Sequence, residues 1–216
     1  NKIFRATGLA AAFALTALAA QAEITLKFAH PVPEADLQQN LALEFKRVLE
    51  ETTGGEIKVQ IFPNGQLGND QQMIDGTRSG IVDVTQIGQN NYTGLVPQAG
   101  AFELPFIFPP RETAYKVLDG APGQAVATEM ETHGLKLRGY GENGYRNMTN
   151  NRAPIRVPED LKGLRMRVNN SKALNDMFEL LGANPQQLHV AELYTSLENG
   201  QVYAQDHHNC CFVYFK

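Results

Sequence analysis

Between Ile24 and Ile87 the apolar residues switch back and forth between a period of two and a period near 3.6, which limits the fold more than any other feature of the chain. Ile24, Leu26 and Phe28 alternate with Thr25 and Lys27, predicting a strand that stops at His30-Pro31-Val32-Pro33. Leu37, Leu41, Phe45, Val48 and Leu49 then recur at helical spacing, with Gly54-Gly55 as the stop. Ile57, Val59 and Ile61 predict a second strand, and Pro63-Asn64-Gly65 a turn. Asp70 is placed to cap a helix running through Met73, Ile74 and Thr77 to Gly80, and residues 81–87 form a third strand. A βαβαβ unit of this kind predicts a mainly parallel sheet with helices on its faces, an α/β fold.

In open α/β sheets ligands bind beyond the carboxyl ends of the strands. His30, at the end of the first strand, and Gly88-Gln89-Asn90-Asn91-Tyr92, at the end of the third, are therefore expected on one rim, where Gln89 and Asn91 offer hydrogen bonds. Phe102 to Pro110 is the most apolar and aromatic stretch outside the first 22 residues; its prolines forbid a long helix, so it is expected to pack as an irregular wall of the core. Helical patterns follow through Ala114, Val117 and Leu118 and from Gly123 to Thr132, and Leu135, Leu137 and Tyr140 then suggest a strand. Gly139, Gly141 and Gly144 suit a crossing between two lobes.

The second lobe is expected to begin near Tyr145. Leu164, Met166 and Val168 share one face of a strand, and Arg165 and Arg167 the other. A guanidinium keeps its charge and offers a planar fork that meets a carboxylate with two parallel hydrogen bonds, so an arginine facing a cleft suits a small organic acid. Asn169-Asn170-Ser171 offers caps for a helix through Leu181 ended by Gly182. Leu188 to Val190 reads as a strand fragment, Ala191 to Asn199 as a short helix closed by Gly200, and Gln201 to Gln205 as a last extended piece.

Lys2 and Arg5 precede an apolar run from Gly8 to Ala20 and a small-x-small site at Ala20-Gln21-Ala22, the pattern of a secretory signal peptide over residues 1–22. Removing it takes the formal charge from -4 to -6, and no basic run marks a nucleic acid or anionic lipid partner. The two cysteines are adjacent, Cys210 and Cys211, so no disulfide framework is expected, in keeping with a Gram-negative periplasm and a core of ordinary size. His207, His208 and the two cysteines match no common zinc spacing, and no metal or cofactor is expected. A hydrolase is disfavoured, with neither a Gly-x-Ser-x-Gly elbow nor a His-Glu-x-x-His helix present.

His30-Pro31, Phe62-Pro63-Asn64-Gly65-Gln66-Leu67-Gly68, Phe102-Glu103-Leu104-Pro105-Phe106, Leu161-Lys162-Gly163-Leu164-Arg165-Met166-Arg167 and Leu181-Gly182-Ala183-Asn184-Pro185 occur in that order. Together, over residues 23–207, the chain resembles the periplasmic solute receptors of tripartite ATP-independent (TRAP) transporters, of the dicarboxylate-receptor type. The resemblance implies a two-lobed periplasmic binding protein fold with mixed, mainly parallel sheets and flanking helices, C-terminally incomplete here. Lobe I is then expected over 23–144 and lobe II over 145–207, with 208–216 an atypical tail of the kind a frameshift or artefact leaves.

The carboxylate-binding arginine of that family falls on Arg167 and its frequent second arginine on Arg146. Gly88 and Gln89 match the polar position at the end of the third strand, Asp70 the helix-start acid of some members, and His207, after Gln205 and Asp206, the polar side chain that closes over the ligand. The implied function is binding without bond chemistry: a monomeric receptor takes up a sugar acid such as a uronate, or a C4-dicarboxylate, and delivers it to the TRAP membrane subunits. The alternative partner is a membrane sensor. Glu142-Asn143-Gly144-Tyr145-Arg146 looks like the version in some uronate receptors.

Overall fold

The computed structural model describes residues 24–108 and 110–208. The expected signal peptide, Pro109 and the Cys210-Cys211 pair lie outside the described residues.

Two sheets organise these residues. In the first, β1 (Ile24–Ala29) lies between β2 (Ile57–Phe62) and β3 (Val84–Thr85), and both pairings are parallel. The crossovers are α1 (Leu37–Thr52) and α2 (Asp70–Arg78). Alternation along β1 splits the core between its faces: Phe28 packs with Ala42 and Val59, and Ala29 with Met73 and Val82. Asp36 begins α1, its Oδ1 accepting from the Gln38 N–H at 2.9 Å. The chain leaves α1 through Gly54 and Gly55 at φ of 58° and 85°, where a side chain is strained.

Three expectations for this unit are corrected. The cap of α2 is Asn69, one residue earlier than expected; its side chain accepts from the Gln72 N–H at 3.0 Å while the Gln72 side chain accepts from the Asn69 N–H at 2.9 Å. This reciprocal capping box moves Asp70 inside the first turn. The third strand shrinks to two residues because Ile81 and Val82 turn back to the Gly76 carbonyl before the ladder starts. Residues 135–140 form no strand: Leu135 is buried, Leu137 packs on the same cluster, and the Tyr140 hydroxyl donates to Gly123 O at 3.2 Å, so the apolar alternation is satisfied by packing without a ladder partner.

Two 3-10 turns, Gln89–Tyr92 and Pro97–Glu103, lead to α3 (Arg111–Leu118) and α4 (Ala121–Thr132). A cluster of Ile74, Val96, Ala99, Val126, Met130 and Leu135, with Tyr92 packed on it, binds the two turns and α4 to α2. Gly123 permits the tight α3–α4 junction, since a Cβ there would lie 1.8 Å from the Leu118 carbonyl oxygen. The stretch from Phe102 is only partly a wall: Phe102 packs on the cluster, whereas Leu104 and Ile107 are half-exposed and Phe106 is 95% exposed. The chain turns outward at Phe106, whose φ of 61° lies in the left-handed region.

The second sheet has the order β4-β7-β5-β6, with β4 (Arg146–Asn150), β5 (Arg165–Val168), β6 (Asn184–Gln187) and β7 (Ala204–His208). β4 runs antiparallel to β7, and β5 is parallel to both neighbours. Around them pack α5 (Lys172–Leu180), capped by Ser171, and the short α6 (Leu193–Glu198). Leu161, Met166, Val168, Phe178 and Ala204 form the core, each large side chain contributing about 1.5–3 kcal/mol on burial. β6 begins four residues before the expected fragment and includes Pro185, which an edge strand tolerates; Leu188 and His189 lie just past its end. β7 likewise starts at Ala204, because the register is set by pairing to Met166 and Arg167. No helix among the described residues is long and apolar enough to cross a membrane.

Candidate functional site

Arg167 stands on the central strand of the second sheet, opposite Gln186 of β6 and Gln205 of β7. Side chains at paired positions share a face. Arg167 therefore shares its face with Gln205 and, two residues along β7, His207, away from the Met166, Val168 and Ala204 core. Arg167 is 3% exposed, and its Nε donates to the Leu188 carbonyl at 3.0 Å, so the residue just past β6 sets the plane of the guanidinium. Gln205 and His207 are also buried, and Gln205 Oε1 has no hydrogen-bond partner among the described residues.

Arg165, on the same face as Arg167, has a structural role: it donates to Gly200 O at 2.8 Å, bonds the Tyr203 hydroxyl and stacks on that ring at 4.4 Å. Arg146, opposite His208 in the register, lies on the other face of the sheet from Arg167 and there grips the buried Asp206. Its Nε donates to the Asp206 carboxylate and its Nη2 to the Asp206 carbonyl at 2.8 Å, so much of its charge is already answered within the sheet.

The electrostatics follow from burial beside these cations. Burial pushes His207 down to about 2, with Arg167, Arg146 and His208 acting in the same direction. Burial, then Arg146, brings His208 down to about 4. Both imidazoles are neutral near pH 7, and a neutral ring offers one donor and one acceptor. Glu103, on the turn from the first unit, is held above the usual carboxylate range by burial, while the Ser171 hydroxyl and Arg146 oppose the rise.

The first unit brings Asp70 to this place. The carboxylate, buried in the first turn of α2, has Oδ2 3.7 Å from Nδ1 of His189. Burial raises the Asp70 carboxyl, opposed mainly by His189 and more weakly by Arg167. Tyr92, hydrogen-bonded to Thr85 at 3.3 Å, is raised by burial and in part by Asp70. Asp70, Arg167 and His189 thus meet where the two units face one another. The other rim residues are engaged elsewhere: His30 is fully buried with Nε2 2.7 Å from Gln39 Oε1, while the half-buried Gln89 donates to Ala99 O at 3.5 Å and Asn91 to Gly88 O at 3.3 Å. A separate open groove of about 770 Å³ runs along α1 and β2 past Leu43, Lys46 and Lys58 and includes none of these groups.

Two facing α/β units with a buried arginine between them invite comparison with known receptors. Residues 28–212 match the family model described as bacterial extracellular solute-binding protein, family 7. The chain belongs to this family. It is 43% identical over 197 residues to the 2,3-diketo-L-gulonate-binding periplasmic protein YiaO of Escherichia coli (strain K12), covering 91% of this chain and 59% of that relative. Among solved structures, a TRAP periplasmic solute binding protein from Sulfurospirillum deleyianum with bound succinate superposes with a TM-score of 0.85 at 33% identity, covering 88% of this chain and 62% of the other. The sugar acid binding protein of Advenella mimigardefordensis in complex with galactonate gives a TM-score of 0.82 at 32% identity, covering 85% and 59%. The chain thus spans about three fifths of the length of these relatives and has their two-lobed fold.

Sequence reasoning singled out neither His189 nor the Leu188 carbonyl. The rule that drew attention to His30, that ligands collect beyond strand ends, applies equally to His189 once β6 is placed at 184–187. Asp206 and Glu103 carry no role in the sequence motifs that contain them; a carboxylate two residues before His208 on a strand paired to Arg146 is the signal that finds the ion pair.

Proposed function

We propose that the protein is a periplasmic receptor that binds a small organic acid between lobe I (23–144) and lobe II (145–207) and delivers it to TRAP membrane subunits. In this reading it is exported by the signal peptide at 1–22 and acts as a monomer. The observation that carries the reading is Arg167, 3% exposed, with its plane set by the Leu188 carbonyl and the Asp70 carboxylate facing it from the other lobe. A desolvated guanidinium is a strong carboxylate anchor because the effective dielectric around it is low. Gln205 and the neutral His207 flank the anchor and Asp70 bounds the lobe I side, whereas Arg146 lies with Asp206 on the other face of the sheet and Gln89 and Asn91 are bonded within their own turn region. His30 serves the site indirectly, fixing the end of β1 to the start of α1 through Gln39.

The preferred ligand is a polyhydroxy monocarboxylate such as a uronate or aldonate. Gln205 Oε1 is a buried acceptor, which a ligand hydroxyl satisfies and an ionised carboxylate does not. Asp70 opposes a second ligand carboxylate placed near it, and Arg146 is already engaged by Asp206. The relatives that bind 2,3-diketo-L-gulonate and galactonate support this choice; the one holding succinate keeps a C4-dicarboxylate as the comparison compound. A thermal-shift screen over hexuronates, aldonates and C4-dicarboxylates tests the proposal. Stabilisation by one or more of the sugar acids is the expected result, and no shift with any acid refutes the function.

A further inference from the structure

Asp70 and His189 belong to different lobes, and their charged atoms lie 3.7 Å apart. Asp70 is held by the capping box that opens α2, so its backbone position follows lobe I. His189 follows lobe II: it comes directly after Leu188, whose carbonyl receives Arg167 Nε, and its own N–H donates to the Glu192 carboxylate at 3.2 Å. The charged and titratable groups facing the pair are Arg167 from β5, Glu192 from the turn after His189, and Tyr92 from the first lobe. His207 and His208 are neutral near pH 7 and add no net charge there. His189 is 47% exposed at its side chain and so meets solvent protons, whereas Asp70 is 12% exposed.

We propose that Asp70 and His189 form a proton-dependent bridge across the cleft, which draws the lobes together when the imidazole is charged and loosens when it is neutral. This inference rests on the receptor reading, because only a protein that opens and closes has two states for the bridge to discriminate. The sign follows from the chemistry. A neutral imidazole beside a carboxylate gains little, whereas an imidazolium gains an ion pair. As pH falls through the imidazole range the closed form is favoured, and the gain is lost at still lower pH when Asp70 is protonated, which its burial brings on earlier than for an exposed aspartate. A half-exposed ion pair shifts such an equilibrium by about two- to fivefold. His189 is thus a positioning residue, acting on the cleft through Asp70.

The bridge is measured without ligand, so its outcome is separate from that of the acid screen. The radius of gyration is followed by X-ray scattering at pH 8 and pH 6 in the unmutated protein, in His189→Gln and in Asp70→Asn. The expected result is a contraction at pH 6 in the unmutated protein that both substitutions abolish. No contraction in the unmutated protein, or the same contraction in His189→Gln, overturns the inference; His189→Gln alters a half-exposed side chain and so keeps the test decisive if Asp70→Asn fails to fold.

Discussion

Replacing Arg167 tests both the site and the physical argument behind it. Its guanidinium is 3% exposed and oriented by the Leu188 carbonyl, so a ligand carboxylate meeting it does so away from water. Removing one partner of a desolvated charge pair costs about 2–5 kcal/mol, or roughly 30- to 4000-fold in Kd at 1.4 kcal/mol per tenfold. Arg167→Ala should therefore abolish most binding in calorimetry with whichever acid gives the largest thermal shift. Arg167→Lys keeps the charge but loses the fork and the Nε donor to Leu188, so about tenfold weakening is expected despite charge conservation. Arg165→Ala is the control: Arg165 stacks on Tyr203 and bonds Gly200, so its loss should lower the melting temperature with little change in affinity. Melting curves of all three variants separate lost binding from lost folding. Unchanged affinity in both Arg167 variants would refute the anchor.

Other outcomes follow from the same geometry. Asp206→Ala leaves Arg146 without its buried carboxylate and should reduce unfolding free energy by about 3–5 kcal/mol in denaturant titrations, more than a surface pair would. The two buried imidazoles of His207 and His208 are depressed to about 2 and about 4, so the unfolded chain binds their protons first as pH falls below about 6.5. Their contribution to stability is fully present above that pH and is lost between about 6.5 and the folded values, at about 1.4 kcal/mol per pH unit for each ring; acid denaturation of His207→Gln should accordingly be shallower in this range. Gly123→Ala sets a Cβ against the Leu118 carbonyl and should lower the melting temperature by several degrees, whereas Gly139→Ala, with nothing within 4 Å, should not. Asn69→Ala breaks the capping box and should cost about 1 kcal/mol of stability by the same denaturant assay.

The alternation of periods from Ile24 to Phe62 was sufficient to locate β1, α1 and β2 and to predict their parallel pairing, because side-chain burial repeats with the geometry of each element. The same reasoning put Arg165 and Arg167 on one face of β5, which the register bears out. It failed where tertiary contacts compete with local pattern. Leu135 to Tyr140 alternates like a strand but is satisfied by packing on α4, and the aromatic run after Phe102 turns outward despite its apolarity. Asn69 caps α2 in place of Asp70 because its side chain and that of Gln72 each accept from the other residue's backbone N–H, which composition alone does not rank.

Strand alternation placed Arg165 and Arg167 together as candidate carboxylate anchors, and the ordered motifs pointed to the family, whose register falls on Arg167. Tertiary structure decided which of two like-facing arginines is oriented by a strand-end carbonyl and which is stacked on a tyrosine, and that Arg146 is matched by Asp206. It also decided that Asp70 and His189, 119 positions apart, meet across the lobes. Periodicity reports on a segment's own burial and local spacing on its own turns. A contact between two strand-end loops of different sheets depends on how those sheets pack, which neither pattern encodes.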